Sequence, residues 1–229
     1  FDGREPFMHN KFVVIDGAVV WTGSWNLTDN GTFRNNNNVL VLASNQLADN
    51  YVMEFEEMFV DRAFGPSSPE AIPYPQVDLN GVRVETIFEP EGDVRERILS
   101  LLEDAGESIL LMAFVFTDND IAHKLIDRHQ VGIDVIGVVE ARNVGSPGSD
   151  YDQLRRAGLE ILEDANDYIM HHKVIIVDES VVVTGSYNFS ASAADRNDEN
   201  SLILHSPTVA SRYAEEFWRV YDAAEAAQP

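Results

Sequence analysis

His9 and Lys11 stand two residues apart, and His171 and Lys173 repeat that spacing 162 positions further on. The same shift carries Asp16 onto Asp178, Gly23 onto Gly185, Ser24 onto Ser186 and Asn26 onto Asn188 without a gap, and it continues through Arg34 and Arg196, Asn38 and Asn200, and Tyr51 and Tyr213. Two copies of one supersecondary unit are therefore present. Each gathers an imidazole, an ammonium, a hydroxyl and an amide, a set suited to a phosphate. The ammonium and amide meet its oxygens, and the imidazole attacks phosphorus or carries a proton. Packing alone would preserve apolar positions and let polar ones drift. Identical polar spacing in two copies points instead to chemistry.

Short β-branched runs must position these groups. Residues 12–15 and 174–177 read as buried strands. On a strand, residues two apart share a face, so each His points with its Lys and each Ser with its Asn. Gly23 and Gly185 let a ligand come close to the backbone. His172, between His171 and Lys173, points the opposite way and reads as structural. Asp16 and Asp178 face away from the lysines ahead of turns at Gly17 and Glu179, which also suits a structural role. Arg34 and Arg196 are candidates for either phosphate contacts or salt bridges.

His-x-Lys-x4-Asp with Gly-Ser-x-Asn beyond it, complete in both copies, resembles the signature of the phospholipase D superfamily, and the likeness covers nearly the whole chain. The resemblance implies an α/β fold of two α/β/α lobes related by a pseudo-two-fold axis, with one active site between them. It also implies a ping-pong phosphodiesterase: one histidine forms a phosphohistidine, the other protonates the leaving alcohol, and water then releases the product without a metal. Lys11, Lys173, Ser24, Asn26, Ser186, Asn188 and Asn37 are the expected partners of the phosphate. In the nuclease-like members a downstream Glu accepts a hydrogen bond from each motif histidine. Glu199 fills that place for His171 and Asn37 for His9, which assigns His171 as nucleophile and His9 as general acid.

Composition bounds the rest. Of 229 residues 45 % are apolar and 24 % charged, ordinary for a globular protein of one large or two modest domains. Apolar runs such as residues 109–116 fall far short of the roughly 18 residues needed to cross a bilayer. The absence of cysteine excludes disulfides and thiolate metal sites. Against 16 basic residues stand 39 acidic ones, a net charge of -23, and two of the three lysines lie in the motifs. No basic cluster offers the counterion release that drives nucleic-acid binding. A polyanion would have to be held by charge inside the cleft, against a repelling surround.

Along the chain, residues 1–60 form the C-terminal part of a first lobe, residues 61–81, with Pro66, Pro69, Pro73 and Pro75, a linker, and residues 82–225 a complete second lobe. Strands at 82–88, 109–116, 133–139 and 159–162 alternate with helices at 93–105, 117–129 and 150–157, a pattern that argues for a largely parallel sheet. Thr117 is the expected cap of the second helix. A helix at 47–59 carries Leu47, Tyr51, Met53, Phe55 and Met58 on its apolar side, and residues 209–221 repeat it. The first copy lacks a counterpart of the strands before the second motif. The expectation is an incomplete first lobe, completed by an N-terminal segment or a second copy. The loop 141–148 reads as an ordinary βα connection, with a place at the mouth of the site as the alternative. No phosphate-loop fingerprint and no zinc spacing is present, so no cofactor and no metal is expected.

The Gly-Ser-Trp-Asn and Gly-Ser-Tyr-Asn tails look like the nuclease branch of the family, and no basic amphipathic helix offers a hold on a membrane. The expected substrate is accordingly nucleic acid, DNA or RNA. The alternatives are a phospholipase D or transphosphatidylase acting on phospholipids, and a weakened phosphate-binding module. Nothing in the sequence assigns a compartment.

Overall fold

A computed structural model of the chain describes residues 3–67 and 72–228. The first copy folds as a hairpin of β1 (Phe12–Ile15) and β2 (Val19–Gly23), a short helix α1 (Asp29–Phe33), strand β3 (Val39–Ala43) and helix α2 (Asn45–Glu56), which runs on into a π-helical turn at Glu57–Asp61. β1, β2 and β3 form an antiparallel sheet of three strands.

The second copy is embedded in a larger lobe. Its strands are β4 (Gln76–Leu79), β5 (Val82–Glu89), β6 (Ser108–Ala113), β7 (Phe116–Thr117), β8 (Asp134–Val139), β9 (Glu160–Glu163), β10 (Lys173–Val177), β11 (Val181–Gly185), β12 (Phe189–Ser190) and β13 (Glu199–His205). Its helices are α3 (Val94–Glu103), α4 (Asn119–Gln130), α5 (Tyr151–Arg156), α6 (Ala191–Asp195) and α7 (Pro207–Ala226). Eight strands line up as β4-β5-β13-β11-β10-β6-β8-β9.

The sheet is mixed, which corrects the largely parallel expectation. Only the β6–β8 and β8–β9 pairs are parallel, because α4 and α5 supply the crossovers there. Elsewhere hairpins and long returns give antiparallel neighbours. β4 lies inside the expected linker and pairs with β5, so its alternation is that of an edge strand in spite of the prolines before it. Pro69 of that linker lies outside the described residues.

One face of the sheet packs under α3, α4 and α5 in a core that includes Ile98, Leu102, Ile121 and Leu125. The other packs on α7 through Phe217, Val220 and Tyr221, and that second core runs on into the first copy through Val20, Leu47, Ala48 and Tyr51. The two lobes thus share an apolar seam. Ser44 and Ser206, equivalent positions, cap α2 and α7 by accepting from Leu47 N and Val209 N.

Two local readings change. Asp118, not Thr117, caps α4, accepting from the backbone of Asp120 and Ile121 with the shorter and more acidic side chain. Met53 and Phe55, expected on the buried side of α2, are exposed, because that helix meets the sheet only along the Leu47, Ala48 and Tyr51 stripe.

Candidate active site

The two motifs meet at a pseudo-two-fold axis marked by paired backbone bridges. Met8 bridges Asp198, and Met170 bridges Asn36 in the equivalent way. His9 N donates to Asp198 O at 2.9 Å and His171 N to Asn36 O at 2.8 Å, so each histidine is held by the opposite lobe. A second crossed pair lies beneath. Asn200 donates to Thr22 Oγ1 (2.6 Å), and Asn38 accepts from Thr184 Oγ1 (3.0 Å) and Tyr213 OH (3.2 Å).

The same crossing reverses an expectation. Glu199 does not serve His171, its own-copy histidine. Its Oε2 lies 2.7 Å from His9 Nδ1, while His171 Nδ1 faces Ser24 O (2.9 Å) and Asn37 Oδ1 (3.1 Å). In the sequence, the downstream position of each acceptor matches it to the histidine of its own copy. Residues 37 and 199 stand at the axis ends of β3 and β13, next to the bridges at Asn36 and Asp198, and so reach across it. Nδ1 of each ring is thereby tied to an acceptor, which leaves Nε2 as the nitrogen available for chemistry.

The serines also sit differently from expectation. Ser186 Oγ donates to Glu199 (2.6 Å) and accepts from Asn200 N (2.8 Å), and Ser24 Oγ accepts from Asn38 N (3.1 Å). Both are fully buried and brace the carboxylate and the amide rather than open space. Gly23 and Gly185 make that bracing possible. They take φ of +146° and +148°, and a Cβ on either would meet the backbone carbonyl of Asn38 or Asn200 at 2.4 or 2.1 Å. Asn188 lines the cleft with its Oδ1 unpartnered, and Asn26 is half-buried.

Both lysines fold back toward their histidines. Lys11 Nζ donates to His9 O at 2.8 Å. Lys173 Nζ lies 3.1 Å from His171 O and 3.2 Å from His171 Nε2. Burial lowers Lys11 to about 8, against the opposing pull of Glu199. Burial, and then Lys11, holds Lys173 well below the usual lysine value, again against Glu199. Burial together with Lys173 and Lys11 pushes His171 down to about 2, so the site at rest holds that imidazole neutral. The two lysines and His171 depress one another's protonation, and Glu199 opposes this for both lysines.

A cleft of about 690 Å³ opens beside His9, lined by Phe7, Phe114, Asn188, Ser190 and Arg196. Phe114, which the sequence did not single out because the first copy has no counterpart, lies with its ring 4.6 Å from that of His171 and 4.8 Å from Lys173 Nζ. The segment after β8 supports the site from behind. Asn143 donates to Phe114 O (2.6 Å), and Glu140 accepts from Met170 N (2.7 Å). Arg196 lines the cleft and pairs with Glu5, whereas Arg34 stacks on Tyr168. Asp178 accepts from the backbone of Gly106, Glu107 and Ser108 and pins the start of β6, away from the site. Among the described residues no group of three or more His, Asp or Glu is placed to hold a metal ion, and no helix is long and apolar enough to cross a membrane.

The sequence profile of the family described as "Cardiolipin synthase, PLD-like domain" matches residues 1–59 and 98–221. The chain belongs to the phospholipase D superfamily. This superfamily member is 34 % identical to a phospholipase D of Rickettsia bellii over 135 residues, 59 % of this chain and 67 % of that protein. It is also 34 % identical to the mitochondrial cardiolipin hydrolase of Xenopus laevis over 131 residues, 56 % of this chain and 62 % of that one. Among solved structures it resembles the phospholipase D family member Nuc from Salmonella typhimurium, with 32 % identity and a TM-score of 0.59 over 62 % of this chain and 95 % of that chain. Phosphatidylserine synthase of Haemophilus influenzae shares the fold at a TM-score of 0.69 over 91 % of this chain and 60 % of that one, with 14 % identity. This phospholipase D-like chain is a phosphodiester hydrolase of that superfamily.

Proposed function

We propose that the chain cleaves phosphodiesters without a metal, through a phosphohistidine on His9, with His171 as general acid. The observation that carries this is the contact of Glu199 with His9. As Nε2 of His9 attacks phosphorus and the P–O bond to the leaving alcohol breaks, positive charge grows on the ring, and the carboxylate at Nδ1 stabilises it. His171, seated on a carbonyl and an amide, lacks that support, so it suits proton transfer. The expected order of roles is thus inverted by the crossed pairing.

A bound phosphodiester anion draws Lys11 and Lys173 onto its oxygens and offsets the burial and the repulsion that keep His171 neutral, so that the ring takes up a proton from water at Nε2 as substrate binds. That proton then passes to the leaving oxygen as the P–O bond breaks. Water next attacks phosphorus, gives its proton back to His171, and the P–N bond breaks to restore neutral His9. Lys11, Lys173, Asn26 and Asn188 are the phosphate contacts in this reading. Ser24 and Ser186 support Asn37 and Glu199. Asn37 in turn seats His171 and is no lesion in the machinery.

The substrate in this reading is nucleic acid. Phe7, exposed at the cleft lip, and Phe114 supply ring faces on which bases stack, a sequence-tolerant contact. The likeness to Nuc supports it. A phospholipid substrate is the second reading, favoured by relatives named phospholipase D and mitochondrial cardiolipin hydrolase.

The test is hydrolysis of bis(p-nitrophenyl) phosphate in excess chelator, followed by single-stranded DNA, RNA and cardiolipin vesicles. An acid-labile p-nitrophenyl phosphoryl group trapped on His9, with release of one p-nitrophenolate, is expected. Trapping on His171 would reverse the roles, and chelator-sensitive cleavage would overturn the metal-free route.

A further inference from the structure

His172 is the one histidine at the axis with no part in the chemistry above, and it is almost wholly buried. Its Nε2 lies 3.0 Å from Glu216 Oε1 on α7, and that carboxylate is gripped by Arg219 through two bonds of 2.7 Å. A carboxylate only accepts, so Nε2 carries the hydrogen and Nδ1 of the neutral ring is bare. Nδ1 faces Asn38 Nδ2 at 3.2 Å.

This dictates the Asn38 amide. Its nitrogen must turn to His172, with Ser24 Oγ at 3.4 Å beyond, and its oxygen must turn to Thr184 and Tyr213. Asn38 closes the segment 36–38 whose other members hold His171: Asn36 O takes its backbone N–H, and Asn37 Oδ1 and Ser24 O face its ring.

The first copy supplies the control. Position 10 is Asn, whose Nδ2 donates to Glu54 Oε1 at 2.7 Å, as His172 does to the equivalent Glu216. Asn10 Oδ1 has no partner, and Asn200 takes the other amide orientation, with Oδ1 toward Lys11 N and Nδ2 toward Thr22. The helix contact is thus common to both copies, and the contact to the segment beside the opposite histidine is made by His172.

We propose that His172 is a positioning residue: by offering a bare Nδ1 to Asn38 it locks residues 36–38 and so fixes the ring of His171 with Nδ1 protonated and Nε2 facing substrate. The kinetic part of this rests on the role given to His171 above. The structural part does not.

The decisive variant is His172→Asn, which copies the first lobe: it keeps the bond to Glu216 and loses the acceptor for Asn38. Wild type and variant are compared by imidazole ¹⁵N NMR and by kinetics on bis(p-nitrophenyl) phosphate. The expected result is a melting temperature and KM close to wild type, a kcat lowered about tenfold, the loss of one neutral hydrogen bond's worth of alignment, and a His171 signal that moves from a single Nδ1–H tautomer toward a mixture. Asn38→Ala, which leaves His172 and Glu216 paired, is expected to reproduce both changes and serves if His172→Asn does not fold. An unchanged His171 signal in the folded variants overturns the proposal. A wild-type chain without hydrolysis would sink the hydrolase reading alone, since the NMR comparison still decides the positioning.

Discussion

The two copies share a hairpin, a helix and a set of polar residues, yet their outer faces live in different surroundings. Ile175, Val177, Val183, Ser201 and Ile203 are buried, none more than 4 % exposed, against the layer built by α3 and α4. Their equivalents Val13, Ile15, Trp21, Val39 and Val41 are between 38 and 57 % exposed. The strand edges differ in the same way. β10 pairs with β6 and β13 with β5, whereas β1 and β3 have no outer neighbour among the described residues. Even so, each histidine is held by the opposite lobe in the same way, through the backbone bonds at Asp198 and Asn36. The difference teaches that the site is assembled by hairpins and crossed lobe contacts, while the second layer governs only how firmly each hairpin is backed.

The largest test of that comparison concerns the histidines. His9→Ala is expected to lose activity about 10⁴-fold or more on every diester, since no nucleophile remains. His171→Ala should fall about 10²-fold with p-nitrophenolate leaving, which needs little protonation, and about 10⁴-fold with an alkoxide. Steady-state rates on the two leaving groups measure this. An equal loss for both variants on both substrates would break the assignment of unequal roles.

Stability should separate the copies next. Ile203→Ala opens a cavity under α3 and α4 and is expected to cost about 2–5 kcal/mol. Val41→Ala, at the equivalent place on the open face, should stay within about 0.5 kcal/mol in the chain as it stands. Urea denaturation of the two variants reads the contrast. A large loss at Val41 would mean that something covers that face in solution.

The crossed acceptors come third. Glu199→Gln removes a charge-assisted bond to His9 and is expected to lower kcat about ten- to a hundredfold. Asn37→Ala removes a neutral bond to His171 that Ser24 O shares, with a loss of about three- to tenfold. Stopped-flow detection of the first turnover should place the Glu199 effect on phosphohistidine formation.

The smallest effect is one of pH, at Glu54 and Glu216, which occupy equivalent places on α2 and α7. Burial and the nearby carboxylates of Glu91 and Glu57 raise Glu54 to about 9. Its stability contribution is therefore full below the ordinary value of 4.5 and is lost as pH rises toward 9. Glu216 is held down to about 2 by Arg219 and His172 in spite of burial, so its contribution is present above 4.5 and lost as pH falls toward 2. At pH 8, Glu54→Gln should raise the melting temperature and Glu216→Gln should lower it. At pH 4 both differences should shrink. Melting curves at the two pH values check both signs.

Much of this molecule was determined by the sequence itself. Strand period put His with Lys, the 162-residue shift announced a two-fold arrangement, and Gly23 and Gly185 announced a close backbone approach, because each of these is local in the chain. Only the tertiary structure decided who pairs with whom across the axis. Glu199 belongs to His9, Asn37 to His171, and His172, set aside as structural, contacts Asn38 of the other lobe. It also turned the serines inward, brought Phe114 over His171 and made the sheet mixed. The physical reason is common to all of these. Periodicity specifies which face a side chain occupies, but the partner on that face is set by how two separately folded units dock, and a symmetric repeat reads the same whether its contacts stay within a lobe or cross to the other.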